Sequence, residues 1–378
     1  MSFAQSFSPQ AIRRALERAP HAKAADVRAA LDAGAPDSAT FAILLSPQAS
    51  YMLEEIAQAA HRRTVERFGK TISLYAPLYL SNDCVCTCTY CGFSMGLDIA
   101  RKTLRIDEVM REGRLLAAQG FRNVLLVSSE HPKLVPPPYV AQCIRETKRV
   151  AHYVALEIAA ADVPEYRQYV EAGCDAVVLY QETYATEVYA RHHLGGPKKR
   201  FAWRMDALER AAHAGVRHLG AGVLLGLADW RFDGVALVEH ARYLQQHAWR
   251  SVVNVSLPRI NAAAGDYTPA MPVTDAEFVQ LICALRIALP TAGIVLSTRE
   301  TAALRDRLVP LGITHMSAGS STEPGGYAEP GTAGEQFHLE DLRSASVVAQ
   351  RLRELGYDPV FKDWELMTTT AQTQAAGV

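Results

Sequence analysis

No stretch of the 378 residues stays apolar for anything near the ~20 positions that a membrane-crossing helix needs. Charge of one sign is missing too: 39 Lys and Arg against 40 Asp and Glu leave a formal net charge of −1. That balance excludes a nucleic-acid binder that works through a basic surface. Low-complexity tracts and internal repeats are absent, and hydrophobic residues make up 49% of the chain, too many for a disordered protein. The opening MSFAQSFSPQAIRRAL lacks the basic-then-apolar order of an export signal. The expectation is a soluble, cytoplasmic, globular protein with no nucleic-acid or membrane partner.

The seven cysteines are not spread as a disulfide framework would be. Cys143, Cys174 and Cys283 sit in apolar surroundings such as EAGCDAVVLY and LICALRIAL, and read as ordinary buried thiols. The other four, Cys84, Cys86, Cys88 and Cys91, crowd into eight positions. A cluster of that kind suggests a metal centre.

Apolar residues recur at three-to-four spacing over 11–18, 24–33, 38–45 and 49–68, which predicts helices. The period then changes. Short β-rich runs fall at 72–80, 123–127, 153–158, 176–180, 220–225, 252–257, 293–296 and 314–316, with helical stretches between most of them. Eight strands alternating with helices argue a parallel sheet wound by crossovers, and eight is the number that closes a barrel. The fold class is therefore α/β: a (β/α)8 TIM-type barrel over 71–365, an N-terminal helical extension over 1–70 and a flexible tail over 366–378. The Gly- and Pro-rich loop 317–336 is a candidate lid.

Within YLSNDCVCTCTYCGF, Cys84, Cys88 and Cys91 have the spacing C-x3-C-x2-C. They lie just past the first expected strand, at the mouth where barrel active sites are built. Iron–sulfur clusters are held by thiolates, usually four. Three ligands from one short loop would leave one iron open to a small molecule. The alternative is a structural zinc site with Cys86 as fourth ligand, although zinc loops usually come as two separated pairs.

The C-x3-C-x-Y-C loop in such a barrel resembles the radical S-adenosylmethionine (SAM) superfamily. A longer set of segments resembles the tyrosine lyases of bacterial thiazole biosynthesis. They are APLYLSNDCVCTCTYCGFSM, YQETYATEVYARHHL, LGAGVLLGLADW, LSTRETAALRDRLVPL, SAGSSTEPGGY and KDW, spread over 76–364. The resemblance implies a reduced 4Fe–4S cluster that gives one electron to SAM. The resulting 5′-deoxyadenosyl radical takes hydrogen from the amino group of L-tyrosine. The Cα–Cβ bond then breaks to give 2-iminoacetate and a 4-hydroxybenzyl radical, which is quenched to p-cresol. It also implies two partners: a thiazole synthase that consumes 2-iminoacetate, and an electron donor such as flavodoxin or ferredoxin.

Roles follow from the same resemblance. Cys84, Cys88 and Cys91 hold the cluster, Tyr90 packs under the SAM adenine, and Ser129 and Glu130 receive the SAM amino group. Glu157 is an acidic residue in an apolar run, where a carboxylate is costly unless bonded; it is assigned to the SAM ribose hydroxyls. Arg204 grips the SAM carboxylate. From its place at the end of the seventh expected strand, Arg299 is the best clamp for the tyrosine carboxylate, assisted by Ser317 at the end of the eighth; Arg259, before an altered loop, is the weaker substrate candidate. Glu182 and Tyr79 position the substrate amine and accept its proton. His192 and His193 are read as structural, because neighbours on a helix cannot both face one site.

Two positions depart from the family pattern. Cys86 stands where the family has a non-cysteine residue and is not expected to be a ligand. After Ser256-Leu257-Pro258-Arg259 the chain runs INAAAG, where a second arginine and a proline are expected. Alternatives are a tryptophan lyase with the same first step, the hydrogenase-maturation tyrosine lyase, which carries a further C-terminal cysteine-bound cluster (the last cysteine here is Cys283), and a non-catalytic metal-binding scaffold.

Overall fold

The computed structural model describes residues 2–362. Asp363 and Trp364 of the KDW segment, and the tail over 366–378, lie outside them. Eight parallel strands close into a barrel: β1 (Thr71–Ser81), β2 (Asn123–Ser128), β3 (Tyr153–Glu157), β4 (Ala176–Glu182), β5 (His218–Val223), β6 (Val252–Ser256), β7 (Gly293–Leu296) and β8 (His315–Ser317). Closure comes from β1, which pairs with β2 through Ala76–Ser81 and with β8 through Ser73–Tyr75. All eight match runs read from the sequence, within two residues at most ends. A short ninth strand, β9 (Asp358–Val360), was not foreseen; it pairs with the first residues of β1 at the lower rim.

Local chemistry explains where the helices begin. Thr274 caps the helix Asp275–Ala288: its hydroxyl accepts from Glu277 N, and the Glu277 carboxylate accepts from Thr274 N at 3.0 Å. Asp162 and Glu165 form the same box at Val163–Ala172, which stops at Gly173 with φ 108°. The N-terminal helices pack on the barrel's outer helices and share its hydrophobic core, in which Phe41, Leu44 and Ile56 are fully buried. Gln280 ties this seam by donating to Leu44 O at 2.9 Å and Ser46 O at 3.0 Å.

Side chains alternate along each strand, so one parity fills the lumen. From β1 this parity sends Tyr75, Pro77 and Tyr79 inward, and from β4 it sends Val178, Tyr180 and Glu182. The segment from Ala318 to Ser344 contains no regular helix or strand and folds over the mouth. Tyr327 O–H donates to Pro77 O at 2.6 Å, and buried Glu112 accepts from Tyr327 N and Ala328 N at 3.1 and 2.8 Å. The candidate lid is therefore pinned down over the barrel in this structure.

Candidate active site

The cysteine loop leaves β1 and is held against two neighbours. Backbone bonds run from Thr89 N to His192 O at 3.1 Å, from Leu194 N to Thr87 O at 3.1 Å and from Val85 N to Glu130 O at 2.9 Å. The close approach requires glycine: a Cβ on Gly196 (φ +79°) would fall 2.7 Å from both Cys86 Sγ and Val85 O. Both histidines serve this loop. His192 Nδ1 bonds Thr89 Oγ1 at 2.7 Å. Buried His193 donates from Nδ1 to Tyr189 O at 2.8 Å and accepts the Tyr90 O–H at Nε2, also at 2.8 Å. Burial, followed by the nearby Lys198 charge, pulls His193 down to about 3, so it stays neutral in this role.

The thiols sit in a setting that suits metal-bound thiolates. Amide N–H groups of Cys86 and Phe93 donate to the sulfurs of Cys84 and Cys91, both at 3.4 Å. A hydrogen bond from the Cys86 thiol holds Cys84 below the usual thiol range, whereas burial pushes Cys88 up to about 12 against the pull of Lys198. Among the described residues no three His, Cys, Asp or Glu side chains are placed to share a single metal ion. Thiolates of a 4Fe–4S cluster each hold a different iron, so they stand farther apart than the ~3.8 Å between two sulfurs on one tetrahedral zinc. Cys86 is buried, with its Sγ 3.6 Å from Glu130 Oε2.

Beside the loop lies a buried charge network. Arg204 donates to Tyr180 O at 2.7 Å, Glu130 Oε1 at 3.1 Å and Glu182 Oε1 at 3.4 Å. Lys198 Nζ donates to the same Glu182 oxygen at 2.7 Å. Glu182 has φ +70°, rare for a residue with a side chain, at an irregularity in the β4–β5 register. Burial alone would raise its carboxyl, but Lys198 and Arg204 outweigh burial and hold it below the usual range. Ser129 lies just outside this network, its hydroxyl donating to Asp83 O at 2.5 Å.

A cavity opens at the barrel mouth and gathers Tyr79, Tyr90, Cys91, Glu157, Glu182, Lys198, Arg299 and Ser317. Arg299 lies over the Phe337 ring at 3.3 Å from its centroid. No carboxylate of the described residues is within ion-pair distance of its guanidinium. Ser317 Oγ accepts from Thr298 N at 3.1 Å, and its carbonyl accepts from buried Arg305, itself paired with Asp341. Tyr79 O–H donates to Gln336 Oε1 at 2.7 Å. Glu157 is pushed up to about 7, first by burial and then by the Glu182 charge, with Arg299, Lys198 and Arg204 opposing. Arg259 does not line the mouth cavity: it borders an adjoining one, which shares Arg299, Ile260 and Asn261 with it, and is engaged by Glu300 and by Asp275 Oδ1 at 2.8 Å.

The radical SAM superfamily profile matches residues 78–236, and the biotin and thiamin synthesis associated domain matches 256–358. The 2-iminoacetate synthase of Escherichia coli K12 is 43% identical over 343 residues, 90% of this chain and 91% of that protein. The chain belongs to the 2-iminoacetate synthase family. The Salmonella typhimurium member is 42% identical over the same length. Among solved structures, a HydG described as a maturase of the FeFe-hydrogenase has 32% identity and TM-score 0.89, covering 97% of this chain and 81% of that one.

Within this radical SAM enzyme family, the structure adds residues that the motifs did not single out. Lys198 faces the mouth cavity, whereas Arg204 has its fork filled by Glu130 and Glu182. In GGPKKR nothing marks which of the two lysines is buried. Gln336 and Phe337, which engage Tyr79 and Arg299, come from the irregular lid and carry no periodic signal.

Proposed function

We propose that this chain is a radical SAM lyase that cleaves the Cα–Cβ bond of L-tyrosine to 2-iminoacetate and p-cresol, for the thiazole moiety of thiamine. The observation that carries this is the mouth cavity, in which Arg299, with no carboxylate partner among the described residues, shares one space with Cys91, Tyr90 and Glu157. Cys84, Cys88 and Cys91 would hold a 4Fe–4S cluster, with Cys86 turned to Glu130 and left out of the ligand set. Bound there, the cluster and SAM supply a hydrogen-atom abstractor. Tyr90, fixed by His193, gives the adenine a wall; Glu130 and Ser129 border the amino group. Lys198, rather than the filled fork of Arg204, offers the SAM carboxylate a positive charge.

The substrate carboxylate takes the Arg299 guanidinium, which Phe337 keeps flat, with the Ser317 hydroxyl beside it. The substrate amine must be neutral before it gives up a hydrogen atom. Glu182 is a poor acceptor because two cations hold it ionised, and Tyr79 is a poor one because burial pushes it well above 10. Glu157, near 7, is matched to accept that proton at neutral pH. This leaves its second oxygen for the SAM ribose. Loss of hydrogen from the nitrogen weakens Cα–Cβ; the departing 4-hydroxybenzyl group takes up an electron and a proton to become p-cresol. The loop over the mouth keeps water from the reacting carbons.

No described helix is long and apolar enough to cross a membrane. We place the enzyme in the cytoplasm, with flavodoxin or ferredoxin as electron donor. 2-Iminoacetate hydrolyses readily to glyoxylate, which favours direct transfer to a thiazole synthase. The test is to incubate the anaerobically reconstituted, reduced protein with SAM and either L-tyrosine or L-tryptophan. p-Cresol from tyrosine supports the proposal; cleavage of tryptophan alone assigns the chain to the tryptophan lyases.

A further inference from the structure

The lumen below the reacting end of the mouth cavity carries two hydroxyls that the chemistry above does not use. Tyr180, inward-facing on β4, donates its phenolic O–H to Ser256 Oγ on β6 at 3.0 Å. The bond passes over β5, whose Gly222 is paired with both residues. A Cβ on Gly222 would fall 2.4 Å from Cδ1 of Tyr180 and 2.7 Å from Ser256 O. Only glycine lets the Tyr180 ring lie across the barrel here, so the hydroxyl pair is built into the strand order. Tyr180, Tyr75 and Leu125 line both the mouth cavity and a second cavity in the lower lumen. Ser256 lines only the lower cavity, so the pair stands at the boundary where the two spaces meet and is reached by a group that extends down from the mouth.

We infer that the Tyr180–Ser256 pair recognises the aromatic hydroxyl of the substrate and sets its selectivity for a phenol over a bare phenyl ring. The inference rests on the tyrosine-cleaving reading of this site. With the carboxylate on Arg299 and the amine toward Glu157 and the cysteine loop, the ring has one direction left, down the lumen. The walls there are Pro77, Leu125 and Val127, apolar and shaped for a ring, and they lead to Tyr180. Ser256 accepts one hydrogen from Tyr180 and keeps a proton of its own to donate. A phenol oxygen accepts that proton; a phenyl ring leaves it facing carbon, which a site built around a hydroxyl penalises. Burial, then Glu157 and Tyr75, push Tyr180 well above its ordinary value, so it remains a neutral donor throughout.

The experiment measures equilibrium binding of L-tyrosine and of L-phenylalanine to the reconstituted, SAM-loaded protein. The variants are Tyr180→Phe, Ser256→Ala and, as the hydroxyl-retaining control, Ser256→Thr. The wild type should prefer tyrosine by about tenfold or more, on the scale of one well-made hydrogen bond. Tyr180→Phe and Ser256→Ala should each shrink that preference by most of this factor while phenylalanine binding holds steady, and Ser256→Thr should keep it. A merely structural effect would weaken both amino acids in parallel and overturn the inference. So would an unchanged ratio, or a wild type that binds both equally. p-Cresol formation by the wild type is followed alongside. A variant-sensitive ratio without p-cresol sinks the lyase reading alone, and p-cresol with an insensitive ratio sinks this inference alone.

Discussion

Replacing Glu157 by Gln should stabilise the folded protein at alkaline pH and disable it at once. The carboxyl of Glu157 moves from an ordinary 4.5 to about 7 in the fold, chiefly through burial. A folded-state value above the unfolded one means that the native state binds more protons between those limits. Stability is therefore lost as pH rises from about 4.5 to 7, and the loss is complete above 7. At 1.36 kcal/mol per unit the shift corresponds to about 3 kcal/mol. Glu157 is half-buried and faces the open cavity, so solvent screening reduces this to about 2 kcal/mol. Glu157→Gln removes the buried charge, so at pH 8 it should melt about 2–3 °C above wild type in differential scanning calorimetry. At pH 4.5 the two should melt almost together. Activity should move the other way, with p-cresol formation falling by about 10²–10⁴-fold as the proton acceptor is lost. The wild-type rate should also show an acid limb near pH 7. A stabilisation that is pH-independent, or largest in acid, would refute the buried near-neutral carboxyl and with it the proton-acceptor role.

Other outcomes follow from the same geometry. Serine at Cys84, Cys88 or Cys91 should abolish the iron–sulfur absorbance after reconstitution, while Cys86→Ser should keep it; equal loss in Cys86→Ser would contradict the three-ligand set. Arg299→Ala should weaken tyrosine binding by about 2–5 kcal/mol, the scale for truncating one partner of a buried charged pair, with SAM binding little changed. Unaltered tyrosine affinity in that variant would move the clamp elsewhere. Gly326→Ala puts a Cβ 2.0 Å from Ser321 Oγ and 2.6 Å from Glu323 Cγ, so it should displace the loop over the mouth and slow turnover. Faster proteolysis of the 318–344 loop together with normal turnover would show that the loop position is not needed.

The barrel was legible because its cause is periodic: strands buried on both faces leave continuous apolar runs, as at 123–127 and 176–180, between helices with caps such as Thr274 and Asp162. The short β9 was not, since Asp358-Pro359-Val360 is ordered by pairing with Thr71–Ser73 and carries no pattern of its own. The site splits the same way. Cys84, Cys88, Cys91, Tyr90, Glu157, Arg299 and Ser317 are placed by strand ends and by a motif of fixed spacing; Cys91, Tyr90, Glu157, Arg299 and Ser317 line one cavity, and Cys84 and Cys88 lie in the loop beside it. Arg259, which also follows a strand, was the weaker substrate candidate because of the altered loop after it. Its position one strand over puts it in reach of Glu300 and Asp275, which pull it away from the mouth. Lys198 and Gln336 reach the site from irregular segments through contacts distant in sequence. Gly222 looked like any small residue in LGAGV until the Tyr180 ring was seen lying against it.

The central claim, cleavage of tyrosine at Cα–Cβ by this cavity, is tested most directly by product stoichiometry. The reduced, reconstituted protein is given SAM and L-tyrosine, and 5′-deoxyadenosine, p-cresol and glyoxylate, the hydrolysis product of 2-iminoacetate, are quantified together. The account predicts that the three accumulate in equal amounts and that tyrosine is required for all of them. SAM cleavage that proceeds without p-cresol, or p-cresol without a matching two-carbon product, would contradict it.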